Sequence, residues 1–137
     1  MLDTAAVVAA MHSPTGASAA LLMLARKSKI TLVANVALAL EYEATCGQPE
    51  HRLAAGLNEK DVGIFVDAVI AMIDPVESHF VWRPLLRDPG NEMILEAAVN
   101  GQATVIVTFN KRDFGTAPLQ FEVEVLTPAE ALRRIKS

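Results

Sequence analysis

The chain lacks the features that define several large classes of protein. It has one cysteine, Cys46, among 137 residues, which excludes an internal disulfide and a cysteine-rich zinc site. None of its apolar runs approaches the roughly 20 residues that span a bilayer. Its first residues lack the basic stretch and long apolar run of a signal peptide. We therefore expect a cytoplasmic protein without a membrane segment.

Several binding motifs are missing as well. No glycine-rich phosphate loop is present, and Gly101 and Gly115 are isolated glycines typical of turns. His12, His51 and His79 share no spacing that would hold zinc. Sixteen acidic residues outnumber twelve basic ones, giving a net charge of −4, so bulk charge does not favour nucleic acid. Any contact with nucleic acid must be local, for example through a metal that inverts the charge of an acidic pocket.

The chain does contain enough apolar material for a folded core. Hydrophobic residues make up 52% of it, and no repeat, low-complexity tract or linker divides it, so we expect a single domain over residues 1–137. Residues 30–34 and 104–108 are β-branched and apolar throughout, which is typical of strands buried on both faces. Residues 121–126 alternate as an edge strand does.

Helical patterns lie between and after these strands. They cover residues 16–26, 36–46, 58–73 and 91–100, and a last helix opens with the capping box of residues 127–130. Alternating strands and helices predict an α/β fold, specifically a three-layer α/β/α sandwich with a mostly parallel central sheet.

The first strand is the difficult element. Asp3 would lie at its end, yet only Met1 and Leu2 precede it, and two residues are too few for a central strand. Either residues 5–10 continue the strand, or the start lacks several natural residues. We favour the second alternative.

Acidic and amide side chains follow the expected strands. In parallel sheets, ligands bind at the carboxyl ends of the strands, and Mg²⁺ prefers oxygen ligands from one or two carboxylates together with waters and phosphate oxygens. The residues expected at that end are Asp3, Thr4, Glu41, Asp88, Asn91, Glu92, Asn110 and Asp113. A bound metal would polarise a phosphate and lower the pKa of an attacking water.

Each of these residues also has a structural explanation. Asp88 and Asn91 are good helix caps, Glu41 suits a solvated helix face, and Asp3 can simply end a strand. The metal hypothesis therefore depends on the acids lying together, since none of them is specific alone.

Five short blocks occur along the chain in a fixed order. They are Leu2-Asp3-Thr4 with residues 13–22, Glu41-Tyr42-Glu43, residues 83–84 with 86–89 and 92–98, residues 107–114, and residues 126–130. Together these blocks resemble the PIN-domain family, and within it the subgroup assigned as toxins (VapC-like) of bacterial toxin–antitoxin pairs. The resemblance covers nearly the whole chain.

The resemblance implies a Mg²⁺- or Mn²⁺-dependent endoribonuclease, a hydrolase in which water attacks an RNA phosphodiester. It also implies a cognate antitoxin protein as partner and a homodimer. The catalytic acids it implies are Asp3, Glu41, Asp88, Glu92 and Asp113, with Asp3, Asp88, Glu92 and Asp113 on the metal. The supporting residues it implies are Thr4, Asn91, Thr108 and Asn110, and Thr108 would hydrogen-bond within the site. The acid at the helix start falls at Asn91 or Glu92.

The sequence departs from the family pattern at three positions. Ala5 stands where the family has asparagine, and Asn91 and Asn110 stand where it has acids. An amide oxygen can bind a metal but brings no charge. The site could hold one metal, depend on Glu92 and Asp113, or be inactive. The alternative function is therefore a catalytically degenerate module of the same fold that binds RNA or protein. A flavodoxin-like or Rossmann-like small-molecule protein is a third alternative, which the missing glycine loop disfavours.

Overall fold

The computed structural model describes residues 1–77, 86 and 88–136, in which short strands alternate with helices. The α-helices in this part are α1 (Thr4–His12), α2 (Ala17–Arg26), α3 (Val36–Cys46), α4 (Pro49–Ala54), α5 (Glu59–Met72), α6 (Pro89–Asn100) and α7 (Pro128–Lys136). The strands are β1 (Leu32–Ala34), β2 (Ile73–Pro75), β3 (Val105–Val107) and β4 (Glu124–Leu126). Two 3-10 helices cover Lys111–Phe114 and Ala117–Phe121.

All strand pairing in the described residues is parallel. β1 pairs with β2, and β3 pairs with β4. On its other edge β3 is joined by the first residues of the chain, where Leu2 forms a parallel bridge with Val107. The Asp3 N–H donates to the Val107 carbonyl at 3.0 Å, and the Val107 N–H donates to the Met1 carbonyl at 2.7 Å. The predicted α/β fold with a parallel sheet is confirmed.

The first strand ends at Asp3, and the alternative in which residues 5–10 continue it is wrong. Helix α1 begins at Thr4, because the Asp3 side chain caps it by accepting a hydrogen bond from the Ala6 N–H at 2.9 Å. Alanine favours helix strongly, and most of this helix is buried, including Val7 and Val8. The apolar residues of α1 therefore belong to a helix that packs in the core.

Five predicted helices are present. α3 has the predicted bounds, and α2, α5, α6 and α7 lie where helical patterns were expected. The capping box that opens α7 is confirmed, because Glu130 accepts from the Thr127 N–H at 2.9 Å and Thr127 accepts from the Glu130 N–H at 3.2 Å.

The remaining differences arise from local caps and turns. α6 begins at Pro89, ahead of the predicted Asn91, because Asp88 is its N-cap. The last strand is shorter than residues 121–126, since Phe121 closes a 3-10 helix and Glu122 has a left-handed backbone (φ 59°). Helix α4, strand β2 and both 3-10 helices were not predicted.

The buried core includes residues from Met1 to Ala131. Among the described strands, β1 and β3 contribute residues to it. A cavity of about 460 Å³ lies beside residues that precede or begin β1 and β3, and apolar side chains such as Leu21, Leu22 and Leu32 line it. None of the candidate acids lines this cavity.

No single helix in the described residues is long and apolar enough to cross a membrane. Helices α1 and α2 meet the length and composition criteria only as a pair, and that pair is bent by 99° at its break.

Candidate metal and active site

Asp3 lies at the end of the first strand, and its carboxylate is held on both oxygens. Only 7% of the residue is exposed. One carboxylate oxygen accepts from the Ala6 N–H, and the other accepts from the Thr108 hydroxyl at 2.5 Å. Both donors belong to elements that end or begin at this edge of the sheet. The carboxylate therefore has a fixed position and keeps further lone pairs for a ligand.

Thr108 connects Asp3 to the segment that follows β3. Its side chain is fully buried, and its hydroxyl accepts from the Asn110 N–H at 3.0 Å while donating to Asp3. The hydrogen bond expected of Thr108 within the site is thus present. Asn110 contributes to this chain through its backbone, so the replacement of an acid by an amide at position 110 leaves this contact intact.

The electrostatic environment of Asp3 raises the pKa of its carboxyl above the ordinary value. Burial is the main cause, and the negative charge of Glu41 adds to it, while the hydrogen bonds from Thr108 and Ala6 act in the opposite direction. Glu41 is exposed on α3, which agrees with the solvated alternative for its side chain. The buried Asp3 carboxylate therefore senses the negative charge of Glu41, which is exposed to solvent.

Tyr42, the residue after Glu41, is part of the same arrangement and was given no role from the sequence. Its side chain is fully buried, and its hydroxyl donates to the backbone carbonyl of Leu2. Burial raises the pKa of the phenol, and the charges of Asp3 and Glu41 raise it further. Tyr42 is the middle residue of the Glu41-Tyr42-Glu43 block, but its partner is a backbone carbonyl, which no sequence pattern can indicate.

Asp88 acts as a helix cap in this structure. One of its carboxylate oxygens accepts from the Gly90 N–H at 2.7 Å and the Asn91 N–H at 3.3 Å. Asp88 therefore does cap the helix, its role on a metal stays a prediction, and the backbone N–H of Asn91 is one of the groups that it caps. Glu92 accepts from the Leu86 N–H at 2.8 Å and so fixes the segment that leads into α6. Residues 83–84 and 87, which belong to the third of the short blocks that resemble the PIN-domain family, lie outside the described residues.

A family model described as a PIN domain matches residues 1–112. The chain belongs to the PIN-domain family. No curated protein and no solved structure matches it. PIN domains are generally nucleases that use divalent metal ions and act on nucleic acid. The matched range contains four of the candidate acids and ends one residue before Asp113.

The PIN-domain acids do not all converge as expected. Within residues 1–77, 86 and 88–136, no group of three His, Cys, Asp or Glu side chains is placed to hold a metal ion. Asp113 lies exposed on a 3-10 helix, and Asp88 and Glu92 bond to backbone donors at the start of α6. Among the candidate acids, Glu41 is the one whose charge adds to the raised pKa of Asp3.

Asp3 and Glu41 have the chemistry that one hard divalent cation needs, because Mg²⁺ takes one or two carboxylates from a protein when it retains waters and substrate oxygens. Burial is the main cause of the raised pKa of Asp3, and a cation would neutralise the smaller contribution from the charge of Glu41. The neighbouring Thr4 hydroxyl is buried and has no hydrogen-bond partner among the described residues, which marks a place for an ordered water or ligand. The metal-binding and catalytic roles of all these side chains remain predictions.

Proposed function

We propose that this PIN domain is a Mg²⁺- or Mn²⁺-dependent endoribonuclease that hydrolyses RNA phosphodiester bonds. The observation that carries the proposal is the buried Asp3 carboxylate, which Thr108 fixes by a hydrogen bond and whose pKa is raised by burial and further by the charge of Glu41. A buried acid with a raised pKa opposed by a second acid is costly for folding, so its presence at the carboxyl end of parallel strands favours a functional role.

Each residue has a distinct task in this proposal. Asp3 holds the cation from the buried side, and Thr108 keeps its carboxylate in one orientation. Glu41 holds it from the solvent side, where it also orients an attacking water and accepts a proton from it. When bound, Mg²⁺ or Mn²⁺ polarises the phosphate and lowers the pKa of the attacking water. Asp88, Glu92 and Asp113 would contact the outer waters or the RNA, with Asn91 and Asn110 as neutral neighbours.

The test is cleavage of a mixed pool of structured and single-stranded RNA in Mg²⁺, Mn²⁺ or EDTA. We expect cleavage with either metal and none in EDTA. Asp3→Asn and Glu41→Gln should each lose it while remaining folded, because asparagine keeps a side-chain oxygen that can cap α1 and Glu41 is exposed. Glu43→Gln is the matched control, since it removes an exposed acid two residues along the same helix. Normal cleavage by Glu41→Gln would refute the assignment of the second acid.

The resemblance of the motif blocks further supports a role as the toxin of a toxin–antitoxin pair. In this proposal the single domain acts in the cytoplasm as a homodimer, and a small antitoxin covers the acidic site. Induction of the wild type in a bacterial host should arrest growth, and induction of Asp3→Asn should not. Arrest by both proteins would show that toxicity does not arise from this site.

A catalytically degenerate module that binds RNA or protein is the second candidate. It is favoured by one observation, namely that no three acids of the described residues form a metal-holding group. A folded wild type that binds the RNA pool without cleaving it in any metal would establish this alternative.

A further inference from the structure

One peptide unit near the N-terminus is held from two sides. It joins Leu2 to Asp3, and its N–H donates to the Val107 carbonyl of β3 at 3.0 Å. Its carbonyl accepts from the Tyr42 hydroxyl of α3. Leu2, Asp3 and Tyr42 are all buried, so water does not compete for either bond. This peptide unit carries the first acid of the site.

The contact with Tyr42 compensates for weak strand pairing at this position. Among the described residues, Leu2 forms a bridge with Val107 alone, and β1 pairs with β2 and not with the first strand. Successive residues of a parallel strand direct their backbone groups to opposite edges. Since Met1 and Asp3 bond to β3, the Leu2 carbonyl faces away from β3. The Tyr42 hydroxyl occupies the place that a neighbouring strand would otherwise take.

Tyr42 also follows Glu41 directly on α3. Its hydroxyl therefore links the backbone of the first acid to the helix that carries the second. A change in this contact would move Asp3 relative to Glu41 without touching either carboxylate.

We propose that Tyr42 is a positioning residue that fixes the Leu2–Asp3 peptide unit against α3 and thereby sets the separation of the Asp3 and Glu41 carboxylates. The inference rests on the proposed function only in assigning a cation to that pair. The Tyr42 hydroxyl makes the positioning contact, and its ring packs in the core.

The test variant is Tyr42→Phe, which removes the hydroxyl and keeps the ring. Two readouts report on positioning. The first is hydrogen exchange of the Asp3 amide, measured by NMR, which needs no metal. The second is the affinity for Mn²⁺ alone, measured by titration. We expect the Asp3 amide to exchange at least about tenfold faster than global destabilisation explains, because one of the two anchors is lost. We expect Mn²⁺ affinity to fall about tenfold.

The control is Val69→Ala, a core truncation on α5, whose side chain is 1% exposed and has no part in the site. It should lower global stability while leaving Mn²⁺ affinity unchanged, and the Asp3 amide should follow only the global change. If Tyr42→Phe behaves like Val69→Ala in amide exchange, Tyr42 is a core residue only and the inference is overturned. Unchanged Mn²⁺ affinity in Tyr42→Phe would overturn it equally.

Failure of the proposed function looks different. A wild type that neither binds Mn²⁺ nor cleaves RNA would refute the nuclease, yet the amide exchange of Asp3 would still decide whether Tyr42 fixes that peptide unit.

Discussion

Replacing Thr108 by valine tests how strongly the site depends on one buried hydroxyl. Valine has nearly the same volume, so the change removes the hydrogen bond to Asp3 and adds little cavity. The Asn110 N–H also loses its acceptor, but Asn110 is exposed and water replaces that bond. The lost interaction is therefore the 2.5 Å bond to a buried carboxylate.

A hydrogen bond to a charged group contributes about 1.5–3 kcal/mol, and a neutral one about 0.5–1.5 kcal/mol. Thr108→Val should lower the free energy of unfolding by the larger amount where Asp3 is ionised and by the smaller amount where it is protonated. The sign follows from linkage. Loss of the bond raises the pKa of Asp3 still further above its ordinary value, so the native variant binds that proton more tightly. Its stability relative to wild type then falls as pH rises through the native pKa.

The assay is urea unfolding of both proteins at several pH values on either side of the Asp3 titration. Thr104→Val is the matched control, because Thr104 immediately precedes β3 and is exposed. The deficit of Thr108→Val should grow with pH, and that of Thr104→Val should stay near zero. A deficit for Thr108→Val that is the same at every pH would refute the assignment of this bond to the ionised form.

Three further predictions concern buried or paired groups. Asp3→Asn should be at least as stable as wild type at neutral pH, because it removes a buried charge whose pKa is raised; thermal unfolding measures this. The hydrogen bonds from Lys111 and from the Thr127 N–H hold the pKa of Glu130 at about 2, so Glu130→Gln should lower the melting temperature at neutral pH, and the deficit should disappear as pH falls through about 2. Burial raises the pKa of Cys46 to about 11, so a thiol reagent should modify it at the rate of unfolding, and rapid modification of the native protein would contradict its burial.

Much of the fold could be predicted because local signals agree with the final structure. The β-branched runs gave β1 and β3, and α3 has its predicted bounds because Asn35 caps its start. Helix α1 was missed because its residues are apolar on all sides, and a helix without a polar face has no period to detect. Strand β2 was missed because Asp74 and Pro75 make up most of it.

The candidate site was predictable in part. The position of Asp3 follows from the rule that polar residues collect at the carboxyl ends of parallel strands, and the hydrogen bond of Thr108 follows from the family resemblance. The backbone partners of Asp88 and Glu92 at the start of α6 and the exposed position of Asp113 on a 3-10 helix could not be predicted from residue pattern, and the roles of these three acids stay predictions. The contact of Tyr42 with Leu2 joins residues 40 positions apart through a backbone atom, so residue identity alone could not reveal it.

The most direct test of the account is a titration of the wild-type protein with Mn²⁺, repeated on Asp3→Asn, Glu41→Gln and Glu43→Gln. If Asp3 and Glu41 hold the catalytic cation, the wild type and Glu43→Gln bind one Mn²⁺ per chain, and the other two variants lose most of the affinity. Undiminished binding by both Asp3→Asn and Glu41→Gln, or no binding by the folded wild type, would contradict the proposal that this carboxylate pair is the metal site.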